Sequence, residues 1–400
     1  MRKPLKKTVI TGIGCLSGAG NTLSENMNSL FNNVRNLAPP TAFTTNHVMK
    51  FPVFEVSCPL ERTTDKADAE LTRTTRLALT ATREAMSQSR LLNKNYSSSI
   101  IGVCIGTSTG SSLNSIPFYD DFRSHRSPDM SPVHCYFNSN PAACIAKRYG
   151  FNGPVQTIVN ACSSGTDAIG IASSWIEQGL CDIVIAGGAD ELSRVTYNGF
   201  ISLMITDHEP SRPFDVTRKG LNLGEGAGIM VLESEKHTLK NGRTPLGSIL
   251  GYGMACDGHH LVTPHPKGRG LRKAIKQSLT FSKISKEEIV FVNAHGTGTF
   301  ENDLVESKVL AELLPGIPFG STKGYTGHTL GAAGALEAAF TVACLNAKKM
   351  PPSIGFREKA EDMPSAPVTQ VMALKGNVAI SQSLAFGGNN SVLVVEGLIN

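Results

Sequence analysis

Short apolar runs closed by glycine recur along this chain, and each predicts a buried strand. "KKTVITGIG" runs into a glycine turn near the N-terminus, and "SIIGVCIG" (99–106), "GPVQTIVNA" (153–161), "CDIVIAGGAD" (181–190) and "GAGIMVLES" (226–234) continue the series. The last third repeats it in "EEIVFVNAHG", "GNVAISQSLAF" and "NSVLVVEGL". Residues 68–90 carry helical periodicity, and 162–178 read as a helix rich in Ser, Gly and Ala. Buried strands alternating with helices predict an α/β fold with helix-covered sheets.

Two pairs of segments echo one another. "VCIGTSTG" (103–110) resembles "VNAHGTGT" (292–299), a strand entering a Gly-Thr turn. "ACSSGTDAIGIAS" (161–173) resembles "YTGHTLGAAGALEAA" (325–339), a turn, a reactive side chain, then a small-residue helix. The echo suggests two similar halves, 1–245 and 246–400.

Composition acts mainly by exclusion. The 400 residues, 40% hydrophobic and 18% charged, suit a globular protein with a large core. A dispersed net charge of +5 is too mild for a nucleic-acid protein and suits an acidic soluble partner. No apolar run is long enough to predict a membrane span, and the basic N-terminus lacks the apolar core of a signal peptide. Nine cysteines without a CxxC argue against a zinc ribbon or a disulfide framework, so a reduced, cytoplasmic setting is expected.

The segment "TIVNACSSGTDA" (157–168) carries the first candidate chemistry. Cys162 falls where a strand gives way to a helix, and unpaired N–H groups and the helix dipole favour a thiolate there. Alone, such a cysteine is more often a small buried hydrophobe. His295 in "NAHGTGT" (293–299) follows an apolar strand, and "STKGYTGHTLGAAG" (321–334) adds Lys323 and His328 in a glycine-containing turn. "SLAFGGNN" (383–390) supplies a late glycine turn able to present backbone N–H groups. A rival nucleophile is Ser108 of a serine hydrolase, since "GTSTG" (106–110) matches the G-x-S-x-G elbow. Cys256, His259, His260 and His265 in "CDGHHLVTPH" (256–265) fit no zinc spacing, and no metal is expected.

At these motifs the chain resembles the elongating β-ketoacyl-[acyl carrier protein] synthases, condensing enzymes of the thiolase superfamily. The matching pieces are "NACSSG", "SRPFD…LGEGAG" (211–228), "NAHGTGT…ND", "STKGYTGHTLGAAG" and "AFGGNN", in order, from about residue 8 to 397. The resemblance implies a thiolase-like fold of two halves in αβαβα layers. It implies Cys162 as nucleophile, with backbone N–H groups of Cys162 and Phe386 as oxyanion donors and Phe386 as gate. His295 and His328 would serve decarboxylation of a malonyl thioester, supported by Lys323. Thr297 and Thr299 would meet the phosphopantetheine arm. Asp303 and Glu306 would position the lysine and its loop, and Glu337 would be structural. No cofactor is implied. The implied partners are an acyl carrier protein and a second synthase-like chain, as homodimer or as heterodimer with a chain-length-determining sister.

"CDIVIAGGAD" is the expected dimer strand, and Arg73, Arg76, Arg123 and Arg126 are candidates for a basic rim facing the carrier protein. The chain departs from the family in a short "LMITDHEP" loop, in Ala385 before the gating turn and in Asn389. These departures suit a specialised polyene or polyketide-type synthase as well as fatty-acid elongation. A thiolase would need a second catalytic cysteine in the late glycine turn, which holds none.

Overall fold

The computed structural model describes residues 7–61, 71–92, 99–108 and 116–398. Twelve strands occur among them: β1 Thr8–Ser17, β2 Ile101–Gly106, β3 Val155–Ile158, β4 Ile183–Asp190, β5 Gly226–Ser234, β6 Gly247–Cys256, β7 Ile289–Asn293, β8 Phe319–Gly320, β9 Lys349–Met350, β10 Met372–Ala373, β11 Val378–Ala385 and β12 Asn389–Gly397. Ten of them form one sheet in the order β3-β2-β4-β5-β1-β6-β12-β11-β7-β8, and β9 pairs with β10 alone.

The order is a repeat. Within the first half, β1 lies at the centre, β2 next to the edge, β3 at the edge, and β4 and β5 between. The second half places β6, β7, β8, β11 and β12 in the same five positions. Directions match too: β2 runs parallel to β3 and β4, as β7 does to β8 and β11, while β4–β5 and β11–β12 are antiparallel. The seam between the halves is short, three antiparallel pairs from Thr8–Ile249 to Ile10–Gly247. The segments that echo in sequence therefore occupy equivalent places. β2 corresponds to β7, and the helix Ser164–Gln178 after Cys162 corresponds to the helix Ala333–Asn346 after His328.

Those two helices pack against each other with strands of both halves around them. The helix Ala333–Asn346 is apolar on nearly every side, the pattern of a helix with no solvent face. Its one charged residue, Glu337, is buried. Outer helices complete the layers: Arg73–Gln88 covers β1 and β5, and Arg269–Ser282 covers β6 and β12.

Most predicted strands and the Ser/Gly/Ala-rich helix form near their expected bounds. The helix expected at 68–90 spans Arg73–Gln88, and residues 68–70 lie outside the described residues. Strand β6 was not legible, because "GSILGYGMAC" interleaves its apolar residues with glycine. Those glycines let a helix lie against the strand: a Cβ at Gly253 would sit 2.2 Å from the Ala274 carbonyl oxygen. The expectation that "CDIVIAGGAD" extends the sheet across a dimer is corrected. Strand β4 is paired with β2 on one side and β5 on the other, so its backbone groups are already used. The edge of that half is β3, whose Val155 is 44% exposed.

Candidate active site

Cys162 precedes the helix Ser164–Gln178 by two residues, in a turn where Ala161 takes the left-handed conformation at φ 49°. A non-glycine residue there is strained, and the turn sets Cys162 at the head of the helix. Cys162 is 4% exposed. Burial pushes the Cys162 thiol up to about 11, while the Lys323 charge and the Phe386 N–H pull it down. Loss of water thus works against the expected thiolate, and the Lys323 charge and the backbone dipoles work for it.

His295 lies two residues past β7, in a loop gripped by one carboxylate. Glu306 accepts from the N–H groups of His295 (2.6 Å) and Gly296 (2.7 Å), and from Gln382 Nε2 at 2.6 Å. Burial raises Glu306 to about 7. Asp303 holds the next stretch, accepting from the N–H groups of Phe214 (2.7 Å) and Gly298 (3.1 Å). Both acids therefore position the histidine loop and not the lysine.

The lysine's partner is Glu337. Lys323 Nζ donates to Glu337, to the His295 carbonyl oxygen at 2.7 Å and to His295 Nδ1 at 3.1 Å. Both members of the ion pair are buried, and burial holds Glu337 up at about 7 against the pull of the ammonium. Glu337, expected to be structural, is thus one step from the chemistry.

His328 sits beside His295, with ring centroids 5.3 Å apart at an interplanar angle of 84°. Its Nδ1 accepts the Leu330 N–H at 3.2 Å. On both rings Nδ1 is occupied by a donor, so the neutral imidazole carries its proton on Nε2. Burial, and then the Lys323 charge, holds both histidines well below their usual range, so they are neutral hydrogen-bond donors.

Cys162, His295, His328, Thr297, Thr299 and Phe386 line one cavity of about 470 Å³. The threonine hydroxyls are 2.9 Å apart. Phe386 stacks on Phe200 with centroids 5.5 Å apart, above a turn in which Gly387 and Gly388 take φ 83° and 80°. Phe200, Leu203, Met204 and Lys219 also line the cavity and were not found in the sequence, because no motif marks them.

The rival features do not build a site. Ser108 Oγ donates to Asp190 at 2.7 Å, and among the described residues no histidine meets it; Thr109 and Gly110 of its motif lie outside them. His260 Nδ1 accepts from Val262 and Thr263 N–H groups and His265 Nδ1 from Lys267 N–H, so both serve turns. No group of three metal-ligating side chains occurs among the described residues. The rim arginines are engaged locally. Arg73 Nε bonds Glu225 at 2.8 Å, Arg126 Nε bonds Asp121 at 2.8 Å, Arg123 lies over the Tyr119 ring, and Arg76 is half-buried.

Residues 6–238 match the beta-ketoacyl synthase N-terminal domain and residues 246–357 its C-terminal domain. The chain belongs to the beta-ketoacyl synthase family. It is 32% identical to 3-oxoacyl-[acyl-carrier-protein] synthase 2 of Synechocystis sp., over 98% of both chains. Among solved structures it resembles a ketosynthase (ApeO) in complex with its chain length factor (ApeC) from Xenorhabdus doucetiae. The identity there is 30%, the TM-score 0.87 and the coverage 98% of each chain. It also resembles the ishigamide ketosynthase/chain length factor, at 27% identity and TM-score 0.91, over 99% of this chain and 100% of that one. No helix among the described residues is long and apolar enough to cross a membrane.

Proposed function

We propose that this synthase condenses a malonyl group on acyl carrier protein with an acyl group held as a thioester on Cys162. The carrying observation is the single cavity that joins a buried thiol to two neutral histidines, each with its free proton on Nε2.

Cys162 Sγ attacks the carbonyl carbon of an acyl thioester, and its proton leaves with the departing carrier thiol. The oxyanion formed on the way is met by backbone N–H groups of Cys162 and Phe386, which line the same cavity. A malonyl thioester then binds along Thr297 and Thr299. Its carboxylate leaves as CO2, and the bond's electron pair moves into an enolate. The enolate oxygen accepts hydrogen bonds from the Nε2–H groups of His295 and His328. Neutral donors stabilise the enolate without offering a mobile proton that would quench it. The enolate carbon attacks the acyl carbonyl and expels the Cys162 thiolate, which takes up a proton. The cycle is ping-pong and calls on no group outside the two substrates and these side chains.

Lys323, held by Glu337, keeps His295 in its donor tautomer. The halves divide at residues 245 and 246, and the protein works in the cytoplasm, where its nine free cysteines stay reduced. A second synthase-like chain joins at β3, an identical copy or a chain-length sister. The resemblance to ketosynthase and chain length factor pairs supports the sister, and Cys162 with both histidines marks this chain as the active member.

The test is incubation of the pure protein with malonyl- and acyl-carrier protein, followed by intact and peptide mass spectrometry. The expected result is an acyl adduct on Cys162 and a product two carbons longer. An absent adduct with every donor overturns the assignment.

A further inference from the structure

The helix Arg269–Ser282 turns Leu271, Ala274 and Ile275 into the core and leaves Arg269, Lys273 and Lys276 exposed. With the half-buried Arg272 they share one face at three- and four-residue spacings. Exposed Lys267 precedes the helix and exposed Lys283 follows it. Among the described residues this face makes a single ion pair, Arg272 with Glu312.

The charges work against the helix that carries them. Arg269 and Lys273, and Arg272 and Lys276, are like charges four residues apart. Arg269 and Arg272 also occupy the N-terminal end, where the helix dipole is positive, and the first turn holds no acid. A solubilising surface is served by mixed signs. One sign concentrated where it destabilises its own element is matched by an anionic partner from outside.

The face is tied to the pocket mouth. Asp257 lines the cavity, and its carboxylate accepts the Gly270 N–H in the first helical turn at 2.7 Å and the His265 N–H at 2.9 Å. The Asp257 N–H donates to the Gly388 carbonyl at 2.8 Å, in the Phe386 turn. Val262, Thr263 and Pro264, between Asp257 and the helix, line the cavity as well. Exposed Lys219 and Met204, the latter 86% exposed, complete the lip.

We propose that the basic face of the helix Arg269–Ser282 is the docking surface for the acyl carrier protein, with Lys273 and Lys276 at its centre. This rests on the synthase reading above. An acidic carrier seated there is held by charge complementarity and delivers its thioester into the adjoining mouth. A polyanion such as RNA meets the same charge but has no reason to sit at the opening of an acyl site.

The test compares the full-length protein with K273E/K276E and with a like-charged control, K236E/K240E, on the helix Glu235–Lys240. Fluorescence anisotropy of labelled, malonyl-loaded acyl carrier protein reads docking directly. Acylation of Cys162 by a small acyl thioester of N-acetylcysteamine reads the chemistry separately. Expected are a carrier Kd and KM raised at least tenfold and a flattened salt dependence in K273E/K276E alone, with the thermal midpoint equal to the parent's or higher, since the like-charge pairs of the helix are removed, and small-thioester acylation unchanged. A carrier Kd within twofold of the parent overturns the docking surface, as does RNA displacing no carrier yet losing its own binding in the variant. Failure of the small thioester to acylate the parent overturns the synthase reading instead, while anisotropy still decides the docking.

Discussion

Lys323 Nζ lies 3.1 Å from His295 Nδ1 and is paired at the same time with Glu337, a carboxylate from the helix at the centre of the molecule. A buried cation thus fixes the tautomer of one histidine and is itself neutralised from the core. Removing one member leaves the other charge stranded, at a cost of about 3–5 kcal/mol. Glu337→Gln is expected to lower the thermal midpoint markedly and to abolish condensation. Replacing both residues, by Met at 323 and Leu at 337, restores most of the stability by calorimetry but not the activity. Recovery of condensation in the double variant would remove Lys323 from the mechanism.

The buried thiol predicts a pH profile. With Cys162 raised to about 11, the thiolate fraction grows tenfold per pH unit across the neutral range. Alkylation by iodoacetamide, followed on the Cys162 peptide, should still be climbing at pH 9. A plateau near pH 7 would mean that the helix terminus and Lys323 outweigh burial.

Stability carries a second pH signature. His295 and His328 are held well below the usual histidine value, so below about pH 6.5 the unfolded chain takes up protons that the native site refuses. Stability rises with pH wherever the unfolded state binds more protons, so this contribution is complete above the unfolded value and is lost as pH falls. The loss is up to about 1.4 kcal/mol per pH unit for each histidine. Denaturation of the parent and of H295Q/H328Q between pH 5 and 8 should therefore diverge on the acid side. Parallel curves would contradict neutral histidines.

Gly331 tests how closely the His328 loop is seated. Its N–H donates to Asp190 at 2.6 Å, and a Cβ there would stand 2.5 Å from the Ser108 nitrogen. The neighbour is backbone and cannot swing aside, so Gly331→Ala should cost about 1–3 kcal/mol. It should also lower kcat for condensation more than the rate of Cys162 acylation, measured by adduct mass. Equal losses in both steps would point to general unfolding.

Stacking of Phe200 on Phe386 predicts a separation of the two half-reactions. Phe200→Ala frees the turn that carries Phe386. It should raise the KM of one substrate at least threefold while Cys162 still accepts an acyl group in single-turnover assays. Unchanged steady-state constants would make the stack incidental.

Much of this architecture was legible because local chemistry is unambiguous where it recurs. Strands such as "IVIAGGAD" and "VAISQSLA" are continuous apolar runs, and Cys162, His295, Lys323, His328 and Phe386 each sit in a glycine-marked turn. What escaped is set by tertiary placement. The partner of Lys323, the pairing of β4 on both sides and the elevated thiol depend on which surfaces meet and which water is lost. The local partners of two of the arginines expected at the rim, Glu225 for Arg73 and Asp121 for Arg126, were likewise unmarked in sequence. Strand β6 hid behind glycines whose purpose is visible only with a helix lying across them.

The division of the site between the halves ties reactivity to the history of the chain. Cys162 comes from the first half, and His295, Lys323, His328 and Phe386 all come from the second. A ribosome releases Cys162 more than a hundred residues before it releases His295. On the proposed mechanism, the nascent protein throughout that interval owns a nucleophile without the donors that direct it. The halves meet through the short β1–β6 seam and through the packed helices that follow Cys162 and His328, so the candidate site is complete only when both halves have folded together. On that mechanism turnover reads out finished molecules alone, and a fragment ending before residue 246 is expected to be chemically silent toward malonyl thioesters.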